Sequence, residues 1–187
     1  MSGAEIFTIK LTGKGGHGAS PQSTRDPIFG AAQVITALQS IVSRNINPLE
    51  TAVVSVCEIH GGTAFNIIPS EVVLNGTIRT FKSEVTDTVR ERFYKIVNSI
   101  AEAMGCKAEI ELIKVTIPVV NDPSIVALMT QVAKEVDPNA IIKPDHQTMG
   151  SEDFSFMLDA APGCFMMVGS ANPEKGLNYS HHHPKFD

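Results

Sequence analysis

Residues 51–81 read TAVVSVCEIH, then GGTAFNIIPS, then EVVLNGTIRTF. The outer two runs are rich in Val, Ile and Thr and are bounded by Gly, Pro, Asn and Ser, so they predict two strands joined by a ten-residue loop. Upstream, residues 5–12 (EIFTIKLT) alternate apolar and polar side chains with the period of a half-buried strand. Asp26-Pro27 then offers an N-cap followed by a proline at the first helical position, and Ile28, Ala31, Ala32, Ile35, Leu38 and Val42 recur at three- and four-residue steps. That pattern predicts an amphipathic helix ending near Arg44. Downstream, a second helix runs from Glu84 to Met104 with Val89, Phe93, Ile96, Val97 and Ile100 on one face, and Gly105 is placed to end it. A strand over 107–115 (KAEIELIKV) closes the set.

The order is β-α-β-β-α-β, the split arrangement of a ferredoxin-like α+β domain: an antiparallel sheet with both helices on one face. Its usual spatial order, 4-1-3-2, puts 51–60 and 107–115 at opposite edges. The first edge has no Lys, Arg or Pro to discourage pairing, whereas KAEIELIKV carries charges at alternate positions. Residues 51–59 are therefore the expected intermolecular edge. We place this domain at residues 1–116.

From 117 to 187 the character changes. The sequence predicts a helix over 123–136, a short strand at Ile141-Ile142, a helix from Ser151 to Leu158, and a two-sided apolar strand through Cys164–Val168. A run with no polar face calls for cover on both sides, as in a parallel or mixed sheet. Some seventy residues with two strands do not supply it, so this part reads as an incomplete piece of a larger α/β domain.

At 187 residues with 43% hydrophobic content the chain can bury a core. A formal charge of −5, with Lys and Arg scattered, provides no basic stripe and argues against a nucleic-acid partner. The start shows no secretory signal, and no apolar run reaches bilayer length, so the expected setting is cytoplasmic, without membrane. Cys57, Cys106 and Cys164 have no metal or disulfide spacing and read as three small core residues.

Three motifs invite chemistry. Gly13-Lys14-Gly15-Gly16-His17-Gly18 fits G-x-G-x-x-G, but Pro21 and Pro27 separate it from any helix, so no helix N-terminus can meet a pyrophosphate there. Ser180-His181-His182-His183-Pro184 could ligate a metal. In an extended segment alternate side chains share a face, so His182 alone or His181 with His183 would serve. In Gly150-Ser151-Glu152-Asp153-Phe154, the simplest reading is structural: Ser151 caps and the acids favour a helix N-terminus. Hydroxyl-nucleophile signatures such as G-x-S-x-G are missing.

The segments GKGGHGASPQSTRDP (13–27), GGTAFNIIPSEVVLNGTIRTF (61–81), MGSEDFSFM (149–157) and HHPKFD (182–187) together resemble successive motifs of the M20 amidohydrolases, in the branch of hippurate and indole-acetyl-amino-acid hydrolases. The resemblance implies a zinc-peptidase-like, two-metal α/β catalytic domain interrupted by a ferredoxin-like lid that is also the dimerisation surface. It implies that His17 steadies the oxyanion, often from the partner subunit, that Asn66 hydrogen-bonds the substrate, and that Arg79 holds the substrate carboxylate. It favours His182 as the last metal ligand. The complete enzyme would carry two divalent ions (zinc, manganese, cobalt or nickel) and hydrolyse N-acyl amino acids or small peptides as a homodimer. The remaining ligands, a Cys-Gly-His-Asp-like segment and paired glutamates, have no counterpart in this chain, which is therefore expected to be inactive alone. The competing expectation is a ferredoxin-like dimerisation or small-ligand-binding module without catalysis.

Overall fold

The computed structural model describes residues 1–186; Asp187, the last residue of HHPKFD, lies outside the described residues. Four ten-residue strands make the main sheet: β1 (Gly3–Thr12), β3 (Ala52–Gly61), β5 (Glu71–Thr80) and β6 (Lys107–Thr116). They lie in the order β3-β5-β1-β6 with every neighbour antiparallel, as the split arrangement predicts. Two short strands, β2 (Gly16–His17) and β4 (Ile67–Ile68), form a separate ribbon.

Helix α1 (Pro27–Ser40) begins where expected: the Asp26 carboxylate accepts from the Ile28 and Phe29 amides at 2.8 and 3.3 Å. It ends in a wider turn over Ile41–Asn45. Helix α2 (Ser83–Ala103) closes with Gly105 at φ +69°, the Cys106 amide reaching back to the Ala101 carbonyl and the Gly105 amide to that of Glu102. This is the paired-bond helix ending that glycine permits.

Both helices cover one face. Phe7, Ile9 and Leu11 of β1 and Val72, Leu74 and Ile78 of β5 meet Ala31, Val34 and Leu38 of α1 and Val89, Phe93 and Val97 of α2 in one buried cluster. Phe7 lies 4.8 Å from the Phe93 ring and also over Gly76, where any Cβ would strike its ring and the Ser55 carbonyl. At one end of this face Arg90 grips Glu5, whose side chain is only 5% exposed; Arg90 Nε donates at 3.0 Å and Nη2 to the second oxygen.

The second part differs from expectation. Helix α3 (Pro123–Val136) forms with Asp122 as cap, and α4 runs Phe154–Ala160. The strands expected at Ile141-Ile142 and Cys164–Val168 do not form. Strands need a neighbour to pair with, and among the described residues 164–168 meets Asn121 instead, whose side-chain amide brackets the Phe165 N–H and C=O at 2.9 and 3.1 Å, with the Asp122 amide on the Gly163 carbonyl. Among the described residues, no apolar side chain after Cys106 is buried.

The cysteines also depart from a common core role. Cys106 is buried and Cys164 half-buried, but Cys57 is exposed. It sits where the β3–β5 register slips between Val56 and Glu58, an edge bulge that leaves it out of the ladder.

Candidate functional site

His17 and Asn66 are brought together. The β2–β4 ribbon pairs His17 with Ile67, and the Gly18 amide donates to the Asn66 carbonyl at 2.8 Å. The glycines of 13–18 serve this close packing: a Cβ at Gly13 would strike the Arg25 carbonyl, at Gly15 the Ile68 carbonyl, and at Gly18 the Asn66 backbone. No helix begins there, in keeping with the exclusion of a dinucleotide loop. The His17 Nδ1 accepts from the Ala19 amide at 3.1 Å, so in the neutral ring Nε2 carries the proton and can donate outward. Both His17 and Asn66 side chains are exposed.

Arg79 stands at the other end. It pairs with Ala4 on β1, on the sheet face opposite the helices, whereas the His17 ribbon lies beyond the Thr12–Glu71 pair. Eight residues of extended strand separate Glu71 from Arg79, about 26 Å at ~3.3 Å per residue. Arg79 Nη1 donates to Ser151 Oγ at 2.9 Å. Ser151 thus does not cap α4, whose N-cap position is Asp153 with no side-chain bond.

The three adjacent histidines are distinguished by their neighbours. His183 stacks on Tyr179 with ring centroids 4.3 Å apart and accepts the Lys185 amide, and His181 meets Phe186 edge-on at 5.2 Å. His182 has φ +64°, a backbone state uncommon outside glycine, and its side chain is exposed. Among the described residues no three His, Cys, Asp or Glu side chains converge as a metal site. Among the described residues, no helix is long and apolar enough to cross a membrane.

The Peptidase dimerisation domain family (M20_dimer) matches residues 2–105, and the chain belongs to it. Over 100% of its length the chain is similar to several hydrolases of this kind. An N-acetyl-L-cysteine deacetylase of Bacillus subtilis is 39% identical, the match spanning 43% of that protein, and the IAA-amino acid hydrolase ILR1-like 4 of Arabidopsis thaliana is 36% identical, again over 43%. A crystal structure from methicillin-resistant Staphylococcus aureus, described as an aminohydrolase, superposes with a TM-score of 0.85 at 31% identity, covering 100% of this chain and 48% of that one. The Bacillus subtilis YXEP protein, described as a dinuclear metal binding peptidase of the M20 family, gives 0.69 at 28% identity, covering 87% and 39%. The chain spans just under half the length of the relatives it matches.

The sequence did not mark Thr77, or Ser151 beyond its reading as a cap, as partners of Arg79. Ser and Thr near a helix start or within a strand have ordinary local uses, so nothing in their spacing marks them.

Proposed function

We propose that this chain is the lid and part of the catalytic domain of a metal-dependent amidohydrolase that cleaves the amide bond of N-acyl amino acids or small peptides. We further propose that it works as a homodimer in which each substrate is gripped by two subunits. The carrying observation is that the run of β5 from Glu71 to Arg79 separates Arg79 from the end of the sheet where His17 and Asn66 lie. A hippurate-sized molecule cannot touch both ends. Arg79 is bonded to residues 149–151 of its own second part, which supports its serving the site of its own subunit, while His17 and Asn66 serve the partner's. In that reading Arg79 pairs with the substrate carboxylate, Asn66 hydrogen-bonds the acyl amide, and His17 Nε2–H faces the oxygen on which charge develops.

The proposed pairing surface is the β3 edge. It carries no Lys, Arg or Pro, and exposed Ile59 lies on it, with exposed Ile28 beside Gly62 just past its end. The same reading assigns residues 117–187 to the catalytic domain, with His182 as one ligand of a divalent metal pair (zinc, manganese, cobalt or nickel) whose other ligands lie outside this chain. Its α3 and the 164–168 run expose Val136, Leu128 and Val168, apolar surface that a larger domain would cover. The chain alone is then inactive. Three free cysteines and the acidic surface support a cytoplasmic setting.

Subunit mixing in the full-length enzyme tests this. A His17→Ala subunit exchanged with a His182→Ala subunit should recover activity, because the heterodimer holds one complete site, and Asn66→Ala with His182→Ala should do the same. Arg79→Ala with His182→Ala should recover none. Absence of recovery in the first two pairs despite verified exchange, or a monomer in sedimentation, would remove the two-subunit grip and favour the non-catalytic module.

A further inference from the structure

A guanidinium has five N–H donors, and those of Arg79 are unequally committed. Nε donates to Thr77 Oγ1 at 3.1 Å, and Thr77 Oγ1 donates in turn to the Glu5 carbonyl at 3.0 Å. Nη1 donates to Ser151 Oγ at 2.9 Å and lies 3.5 Å from the Met149 carbonyl. The loop that presents Ser151 is itself anchored on the start of β1. Ser2, fully buried, donates its amide to the Thr148 and Gly150 carbonyls at 3.2 and 3.1 Å and its hydroxyl to the Met149 carbonyl at 2.8 Å. Among the described residues, Nη2 has no hydrogen-bond partner.

With Nε occupied, the side edge of the guanidinium formed by Nε and Nη2 is closed to a two-pronged carboxylate. Nη1 carries two N–H groups and spends one on Ser151 Oγ, so the end edge, formed by its second N–H and Nη2, is the edge a carboxylate can still meet with both oxygens. We infer that Ser151 is a positioning residue: it fixes the plane of the Arg79 guanidinium so that its end edge meets a ligand carboxylate, with Thr77 holding the opposite side. The inference rests on the reading of Arg79 as the carboxylate grip. It adds a dependence that grip alone does not have. Arg79 belongs to the lid and Ser151 to the second part, so the clamp is set only while residues 148–151 are docked on Ser2.

Two measurements test it. On the chain as it stands, NMR of the Arg79 side chain reads the rate of guanidinium rotation about Nε–Cζ. Ser151→Ala should speed it several-fold, and Ser151→Thr, which keeps the hydroxyl, should leave it slow. In the full-length enzyme, Ser151→Ala should raise KM for an N-acyl amino acid about tenfold, the scale of one hydrogen bond to a charged group, with kcat and the corresponding primary amide substrate little changed. Ser151→Thr should restore most of the loss. Unchanged rotation, or a KM rise equal for carboxylate and amide substrates, overturns the positioning role. Arg79→Lys separates the two layers. If it impairs carboxylate and amide substrates alike, the carboxylate grip itself falls; if it is selective while Ser151→Ala is neutral, only the positioning role falls.

Discussion

Phe93 and Val168 are both large apolar residues inside runs that read as core, yet one is wholly buried and the other is 80% exposed. The contrast holds across their regions. In residues 1–116 the sheet and two helices enclose one another, and the alternation of β1 and β5 is matched by a stripe on each helix. In residues 117–186, Val136 is 82% and Ile141 86% exposed, and α3 has no buried residue. Apolar pattern specifies which face seeks cover, while the cover itself comes from partner elements. The first region contains its partners in sequence, and the second does not.

The largest effect should separate the regions most sharply. Phe93→Ala leaves a cavity beside Phe7 and should cost about 3–5 kcal/mol in urea unfolding of the chain. Val168→Ala in the same chain should fall within about 0.5 kcal/mol of zero. Similar losses would erase the distinction.

Next is Arg90→Met, which leaves the buried Glu5 carboxylate without its guanidinium partner and should cost about 3 kcal/mol, again within the first region. Adding Glu5→Gln should recover part of it, since a neutral amide is cheaper to leave without a charged partner.

The smallest effect belongs to α3. Hydrogen bonds from the Ser124 hydroxyl and from the Ile125 and Ser124 amides hold the Asp122 carboxyl below its ordinary value of 3.8. A lowered folded-state pKa means stabilisation that is present above the unfolded value and lost as pH falls through the folded one. Helicity of α3 should therefore decline on acidification below pH 3.8 while the first region keeps its sheet, and Asp122→Ala should reproduce a small local loss at neutral pH. Circular dichroism with site-resolved NMR reads both. A loss shared by the sheet would tie the regions together more tightly than their packing indicates.

These contrasts also explain what was legible beforehand. The strand order β3-β5-β1-β6 followed from the β-α-β-β-α-β succession of elements, the start of α1 from Asp26-Pro27 and the end of α2 from Gly105, because each signal is satisfied by nearby chain. His17 and Asn66 were legible as motif residues, but their adjacency on the β2–β4 ribbon, and the length of strand separating them from Arg79, needed the register. Ser151 reads as a cap because a serine before a helix usually is one; its partner stands seventy-two residues away. Cys164–Val168 has the composition of a buried strand, and only the neighbouring strands that composition presumes are lacking among the described residues. For the three histidines, the resemblance favoured His182, and what the sequence did not show is that His183 stacks on Tyr179 and His181 meets Phe186.

Native-state hydrogen exchange on the chain tests the central contrast most directly. Amides of Phe7, Ile9, Val72 and Leu74 in the two inner strands should exchange only through global unfolding, and those of α3 and α4 through local opening at much lower free energy. Equal protection in α3 and in the inner strands would contradict the account, because it would mean that residues 117–186 share the stability of a core to which they contribute no buried apolar side chain.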